Sequence, residues 1–93
     1  MDVIYPRCAG LDVHKKIIVA CRIVRDLEGK RLIESKAFGT MTADILALGE
    51  WLAKAEVTQV AMESTGVFWK PIWNILEPNF HLMLVNPQHI KET

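Results

Sequence analysis

Two acidic residues, Asp12 and Glu63, occupy positions where a carboxylate can take part in chemistry. Asp12 interrupts an apolar strand pattern, where an isolated carboxylate is costly unless a cation, hydrogen-bond donors or water compensates it. Glu63 follows a short apolar run, and ligands of open α/β sheets bind outside the carboxyl ends of strands. Mg²⁺ or Mn²⁺ relieves the repulsion between two adjacent carboxylates, and pairs of such ions promote in-line displacement at phosphate. The simpler alternative is that Asp12 caps a turn and Glu63 is a solvated strand end.

Basic residues are concentrated between His14 and Lys36. This segment contains seven bases and only three acids. The bases are Lys15, Lys16, Arg22, Arg25, Lys30, Arg31 and Lys36, and the acids are Asp26, Glu28 and Glu34. This local excess is suited to contacts with a phosphate backbone, although an ordinary solvated strand surface explains it equally well. Lys15 and Lys16 are the better nucleic-acid candidates because they follow Asp12 closely, and Lys70 comes next.

Aromatic, histidine and cysteine residues have both functional and structural interpretations. Phe68, Trp69 and Trp73 can stack on bases, but the helical spacing of the two tryptophans favours core packing. His14 shares a strand face with Asp12, and a hydrogen bond to a metal ligand is expected because Mg²⁺ prefers oxygen. The other two histidines have no metal-site spacing. Cys8 and Cys21 are predicted to be small buried apolar residues.

Length and charge limit the possible functions. The 93 residues suit one domain, and eleven Lys and Arg balance eleven Asp and Glu, so a role with nucleic acid must depend on a local patch. The longest apolar runs, Ile17–Cys21 and Leu82–Val85, are far shorter than the roughly 20 residues that cross a bilayer. No basic segment precedes an apolar stretch at the N-terminus. We therefore expect a cytoplasmic protein without a membrane span.

The first third of the chain predicts three antiparallel strands. Residues Arg7–His14 alternate between apolar and polar, as in a strand. The β-branched run from Ile17 to Val24 indicates a central strand buried on both faces. Asp26 and Gly29 predict a turn, and Arg31–Phe38 has the mixed composition of an outer strand.

The remaining residues predict two helices that alternate with two strands. Ile45, Leu48, Leu52 and Ala55 follow the period of a helix, which Thr42 can cap. A strand from Val57 to Met62 ends at Glu63. A second helix runs through Ile72, Ile75 and Leu76 and tolerates Pro71 only near its start. A fifth strand covers His81–Val85, and Asn86-Pro87 forms a turn.

The resulting order, βββαβαβ, matches the ribonuclease H-like arrangement of the α/β class. Three antiparallel strands precede two that are parallel to the first, joined by right-handed crossovers. In this arrangement the first strand is central and the fourth strand lies beside it. Asp12 and Glu63 are then expected to be neighbours.

Three blocks of sequence resemble a known family. The blocks are Gly10–Lys16, Ala61–Trp73 and Leu84–Pro87. They are similar to three blocks that occur in the same order in the N-terminal domain of DEDD-type insertion-sequence transposases. The catalytic domain of these recombinases is similar to the Holliday-junction resolvase RuvC, and members of the family are guided by a bridge RNA. The resemblance implies DNA strand cleavage and transfer, with DNA as partner and a guide RNA for the full-length protein.

The resemblance also assigns roles to residues. Asp12 and Glu63 match the first two family acids, which implies that both are catalytic and hold Mg²⁺ or Mn²⁺. Ser64 and Thr65 belong to the strand end that supports the metal site. Ser64 does not match the family's nucleophilic serine, which belongs to a C-terminal domain without a counterpart in this sequence.

The family's third and fourth acids form an Asp-x-x-Asp motif beyond the Asn-Pro block, and the 93 residues contain no such motif. We therefore expect residues 1–93 to be a single, incomplete domain that ends before the last helix. Such a chain is expected to lack activity alone, because metal chemistry needs the full acidic site. Uncovered apolar sheet surface would favour a homodimer or a swapped oligomer.

Three alternatives remain. A resolvase or nuclease of the same fold would have all four acids and need no nucleophilic serine. A non-catalytic module would bind nucleic acid or a transposase protomer. Actin-like ATP-binding domains share the topology, but no glycine-rich phosphate loop follows the first strand here.

Overall fold

The computed structural model describes residues 7–85, which form one five-stranded sheet and two helices. The elements are β1 (Cys8–Val13), β2 (Ile18–Arg25), β3 (Arg31–Phe38), α1 (Thr42–Lys54), β4 (Gln59–Ser64), α2 (Trp69–Leu76) and β5 (His81–Val85). The predicted element order is confirmed, and the bounds of β3 and β5 match the prediction. The predicted fourth strand begins two residues later than expected, and the predicted Asn86-Pro87 turn lies outside the described residues.

The sheet has the order β3-β2-β1-β4-β5, so β1 is its central strand. β1 pairs antiparallel with β2 and parallel with β4, and β5 continues the parallel part of the sheet. A parallel pair needs a long crossover, and α1 supplies it between β3 and β4 while α2 joins β4 to β5. The central position of β1 therefore places Asp12 in the middle of the sheet.

Both helices cover the same face of the sheet. Leu11 and Val13 of β1, together with Ile18 and Ala20 of β2, are buried on this face with Met62 of β4. The alternate positions point to a second face, on which no helix lies within residues 7–85. Val19 is consequently 40% exposed, and the prediction that β2 is buried on both faces is wrong. The β-branched run indicated burial but could not show that both crossovers would pack on one side.

The two cysteines also depart from the prediction. Cys8 and Cys21 are free thiols and are partly exposed rather than buried. Both lie at positions that face away from the helices, since Cys8 pairs with Ile23 and Cys21 with Gly10 in the β1–β2 register. The face without helices leaves them in reach of solvent.

The start of α1 is capped from inside the helix. Thr42 is the first helical residue and Met41 occupies the cap position, so Thr42 is not the predicted cap. The backbone N–H of Met41 instead donates to Asp44 Oδ2 at 3.1 Å, which satisfies one of the free N–H groups of the helix end. The carboxylate also suits the positive end of the helix dipole. Asp44 therefore takes the role that the sequence suggested for Thr42.

The helices approach each other closely at a glycine. A Cβ atom at Gly49 of α1 would lie 3.3 Å from Leu76 Cδ2 of α2, tighter than most carbon contacts in proteins. Absence of a side chain at this position lets the helices pack side by side over the sheet. Pro71 is the third residue of α2, within the first turn, as predicted. No helix of residues 7–85 has the length and apolar character needed to span a bilayer.

Two leucines of α1 test which face of the helix supports the fold. Leu48 is fully buried against the sheet, whereas Leu46 is 54% exposed. We expect Leu48→Ala to lower the free energy of unfolding by about 2–5 kcal/mol because it leaves a cavity in the core. The matched control, Leu46→Ala, should change it by less than about 0.5 kcal/mol. Urea unfolding followed by circular dichroism measures both, and similar losses would contradict the packing described.

Candidate active site

The two acids lie side by side in the centre of the sheet. In the parallel β1–β4 ladder, Asp12 is the direct partner of Glu63. Neighbouring strands are about 4.8 Å apart, and residues directly paired in a ladder point to the same face. Both carboxylates therefore project from the face without helices, near the carboxyl ends of their strands. The predicted neighbourhood of Asp12 and Glu63 is confirmed.

A shallow hollow lies beneath the acid pair. It has a volume of about 370 Å³ and is lined by Gly10, Asp12, Val19, Cys21, Ala61 and Glu63, among others. Gly10 and Ala61 pair with each other in the same ladder, two positions before the two acids. A Cβ atom at Gly10 would meet nothing within 4 Å, so small residues leave open space beside the carboxylates. The hollow is large enough for ordered water or part of a phosphate group.

Gly10 and Ala61 were not predicted from the sequence to be part of the site. The signal was present, because each small residue precedes an acid by two positions, which is the period of one strand face. Its significance depends on the β1–β4 register, which brings the two small residues together.

His14 contacts the first acid. Its Nε2 atom lies 3.1 Å from Asp12 Oδ2, and the side chains of His14 and Asp12 are 45% and 55% exposed. The contact matches the predicted hydrogen bond between this histidine and a candidate metal ligand. At this exposure the pair contributes little to stability. Its importance is geometric, because the imidazole restricts the orientation of the Asp12 carboxylate.

The loop after β4 has a defined shape. The Thr65 N–H donates to the Val13 carbonyl at 3.4 Å, which ties the loop to the end of β1. Gly66 has a φ of +69°, in the left-handed region that favours glycine. Alternation along β4 directs Ser64 to the face opposite Glu63, and its hydroxyl donates to the Thr65 carbonyl at 3.4 Å. Ser64 and Thr65 thus lie at the strand end, but Ser64 does not share the face of the acid pair.

Three lysines lie around the carboxyl edge of the central strands. Lys15 and Lys16 occupy the exposed turn after β1, closed by a 2.9 Å hydrogen bond from the His14 N–H to the Ile17 carbonyl. Lys70 lies in the first turn of α2, directly after the β4 loop, and is exposed. The candidate phosphate contacts therefore surround the edge at which the acids lie.

Two arginines of the basic region have structural partners. Arg22 bonds Glu34 and the Trp51 carbonyl, and its guanidinium lies 4.1 Å from the centre of the Trp51 ring. Arg25 donates to the Gly29 carbonyl across the β2–β3 turn at 2.9 Å. Two of the seven positive charges are thus used in contacts within the sheet and its turn, whereas Lys15 and Lys16 are exposed and closest in sequence to Asp12.

The aromatic residues near the site divide into two groups. Trp69 and Trp73 pack against the core and meet edge to face with ring centres 5.7 Å apart. Phe68, which precedes α2, remains 38% exposed. The prediction of core packing is confirmed for the two tryptophans.

The acid pair has the donor chemistry of half a metal site. Mg²⁺ and Mn²⁺ prefer carboxylate oxygens and retain several waters, and the open hollow leaves room for them. No cluster of three or more histidine, cysteine, aspartate or glutamate residues suited to a metal occurs within residues 7–85. The residues present therefore fit a divalent cation but supply only part of its coordination shell.

The sequence matches a family model over nearly its whole length. The model describes the DEDD transposases of the IS110 type and covers residues 9–93. The chain belongs to this transposase family. A comparison with curated proteins finds no significant match. The family resemblance drawn from the three sequence blocks is thus confirmed.

Solved structures share the fold of this transposase chain. The fowlpox virus resolvase, solved with Holliday junction DNA, superposes with a TM-score of 0.60 at 14% identity, covering 87% of this chain and 60% of the resolvase. A Ppx/GppA protein of Aquifex aeolicus superposes with a TM-score of 0.55 at 11% identity, covering 90% and 36%. The transposase chain thus spans about a third to three fifths of these proteins. The resolvase supports the predicted ribonuclease H-like fold.

Side-by-side carboxylates should repel each other in the absence of metal. We expect Asp12→Asn and Glu63→Gln to be non-additive, with a coupling of about 0.5 kcal/mol in the free energy of unfolding measured in EDTA. The double variant should gain less free energy of unfolding than the two single variants gain together, because either substitution alone removes the repulsion.

Glu50 provides the matched control for this cycle, because it is an exposed carboxylate on α1. Asp12→Asn and Glu50→Gln should be additive, since distant sites do not couple. Additivity of Asp12→Asn with Glu63→Gln in urea unfolding would contradict the side-by-side arrangement.

Proposed function

We propose that this transposase domain supplies Asp12 and Glu63 to a divalent-metal site for DNA strand cleavage and transfer. The observation that carries the proposal is the direct pairing of the two acids in the β1–β4 ladder. The open hollow beside them and the exposed lysines at the same edge support it. Membership of the DEDD transposase family adds the reaction class.

Each of these residues has a proposed role. Asp12 and Glu63 hold Mg²⁺ or Mn²⁺, and His14 positions the Asp12 carboxylate through its 3.1 Å contact. A divalent cation held there would stabilise charge on the attacking and leaving oxygens of the phosphodiester. Lys15, Lys16 and Lys70 attract and orient the DNA backbone. Thr65 supports the strand end by bonding the Val13 carbonyl.

We also propose that residues 1–93 form part of a domain whose acid site needs two further carboxylates. DEDD sites contain four acids, and this sequence has only the first two in matching positions. Two carboxylates leave most of the coordination shell of two cations to water. The chain alone is therefore inactive, and the complete site would act on DNA, with a guide RNA in the full-length protein.

Metal binding tests the proposed role of the acids. Asp12→Asn and Glu63→Gln should each weaken Mn²⁺ binding at least about tenfold, a loss found even for groups that only orient metal ligands. Glu28→Gln, in the exposed β2–β3 turn, is the matched control and should leave the affinity unchanged. Electron paramagnetic resonance of free Mn²⁺ measures the binding directly.

Two outcomes would contradict the proposal. Unchanged Mn²⁺ affinity in both acid variants would favour the alternative of a non-catalytic binding module. Cleavage or joining of a Holliday junction or linear duplex by the 93-residue chain with Mg²⁺ would refute the need for further acids.

A second proposal concerns self-association through the sheet face without helices. This face exposes large apolar residues on three strands, with Val19, Ile33 and Met83 at 40%, 63% and 61%. Met83 pairs in register with Ala61, so this apolar surface continues into the hollow beside the acids. Exposed apolar patches favour association. We infer that two copies of the 93-residue chain pack through this face when neither metal nor DNA occupies it.

A lysine introduced on the face without helices, compared with one introduced on a helix, tests this interface. Met83→Lys should shift the chain toward monomer in sedimentation velocity, because a dimer would bury the ammonium group. Leu46→Lys, at a position on α1 of similar exposure, should leave the distribution unchanged. A monomeric unsubstituted chain at all concentrations, or equal effects of both substitutions, would exclude this interface.

A further inference from the structure

A recess of about 430 Å³ lies beside α2, separate from the acid pair. It is lined by Trp69, Lys70, Trp73, Asn74 and Leu84. Trp69 and Trp73 form one row along the helix at a spacing of four residues, and Lys70 and Asn74 form the adjacent row. No acidic side chain of the described residues lines this recess. It thus combines two indole rings, an ammonium group and a primary amide.

This lining matches the chemistry of a nucleotide. Exposed aromatic surface stacks on nucleobases largely independently of sequence, and an ammonium group contacts phosphate. The Asn74 amide offers both a donor and an acceptor to a base edge. Lys70 and Asn74 are exposed and Leu84 is 40% exposed, so a ligand can enter without displacing the core. The tryptophans are held by the core at their inner sides, which makes the stacking surface rigid.

The recess lies at the same edge of the sheet as the acids. Trp69 begins α2, directly after the loop that follows Glu63. Leu84 precedes Val85, the ladder partner of Glu63, and alternation directs it to the helix-covered face. The acid pair and the recess therefore lie on opposite faces near the carboxyl ends of β4 and β5. A single strand that crosses this edge can contact both.

We propose that the recess binds an unpaired base of the DNA strand whose phosphate lies at Asp12 and Glu63. The base stacks on Trp69, which begins α2 next to the loop after Glu63, while Asn74 bonds its edge and Lys70 contacts the adjoining phosphate. This inference rests on the proposed function for the position of the scissile phosphate, whereas base binding itself is independent of metal. DNA is favoured over RNA because the recess adjoins the edge at which DNA is proposed to react.

Binding of short oligonucleotides in EDTA tests the recess without the metal site. Fluorescence anisotropy should show that a labelled octamer of thymidylate binds about five- to 150-fold tighter than an abasic octamer of the same length and charge, the range that stacking of one base provides. Equal affinity for the two octamers would overturn the proposal. Tighter binding of an octauridylate RNA than of a deoxyuridylate octamer would overturn the assignment to DNA.

Variants separate the roles of the lining residues. Trp69→Leu should abolish the preference for the base-bearing octamer while leaving its salt-dependent binding. Asn74→Ala, at an exposed position that does not support the core, should reduce the same preference. This variant tests the proposal even if Trp69→Leu does not fold. A preference that survives both substitutions would overturn the proposal.

Matched controls distinguish this inference from the proposed function. Lys70→Gln should weaken binding of both octamers, whereas Lys54→Gln, at the end of α1, should have no effect. Asp12→Asn should leave the base preference intact in EDTA. If the unsubstituted chain prefers the base-bearing octamer but does not bind Mn²⁺, the proposed metal site is wrong and the recess proposal stands. If it binds Mn²⁺ but shows no base preference, the recess proposal is wrong and the metal site stands.

Discussion

The parallel pairing of β1 with β4 is the constraint on which the candidate site depends. Asp12 and Glu63 are separated by fifty residues of sequence, and this ladder alone makes them direct partners. A slip of one residue in the pairing would send one carboxylate to the opposite face of the sheet. Leu11 and Met62 are also ladder partners, and both are buried on the opposite face. The core therefore fixes the register, and the register in turn positions the acids.

The hydrophobic core and the candidate acid pair lie on opposite faces of the sheet. Apolar residues of all five strands or their ends meet α1 and α2 on one side, and the acids project from the other. Solvent reaches Asp12 and His14 without any opening of the core. The same exposure leaves Val19 and Met83 uncovered beside the hollow. The candidate acid pair and exposed apolar side chains therefore share one face of the sheet.

Much of the fold could be predicted because the local signals agree with the tertiary structure. Alternation in β1, the helical period around Leu48 and the composition of β5 all indicate the elements that form. The juxtaposition of the two acids followed from the match between the element order and the ribonuclease H-like arrangement, in which the fourth strand lies beside the first. The side of the sheet on which each helix packs has no local signal, which explains the wrong prediction of burial for Val19. Thr42 is not the cap because the helix begins at Thr42 itself and Met41 occupies the cap position.

The recess beside α2 could not be predicted because its wall comes from two elements. Trp69 and Trp73 have core spacing in the sequence, and the structure does pack them against the core. Leu84 of β5 forms the second wall of the recess, beside the outer surface of the two tryptophans. The same scaffold occurs in a Ppx/GppA protein and in a viral resolvase, so the fold by itself does not select a reaction. In this chain, the side chains near the carboxyl edge include two carboxylates on one face, a tryptophan pair on the other, and three exposed lysines.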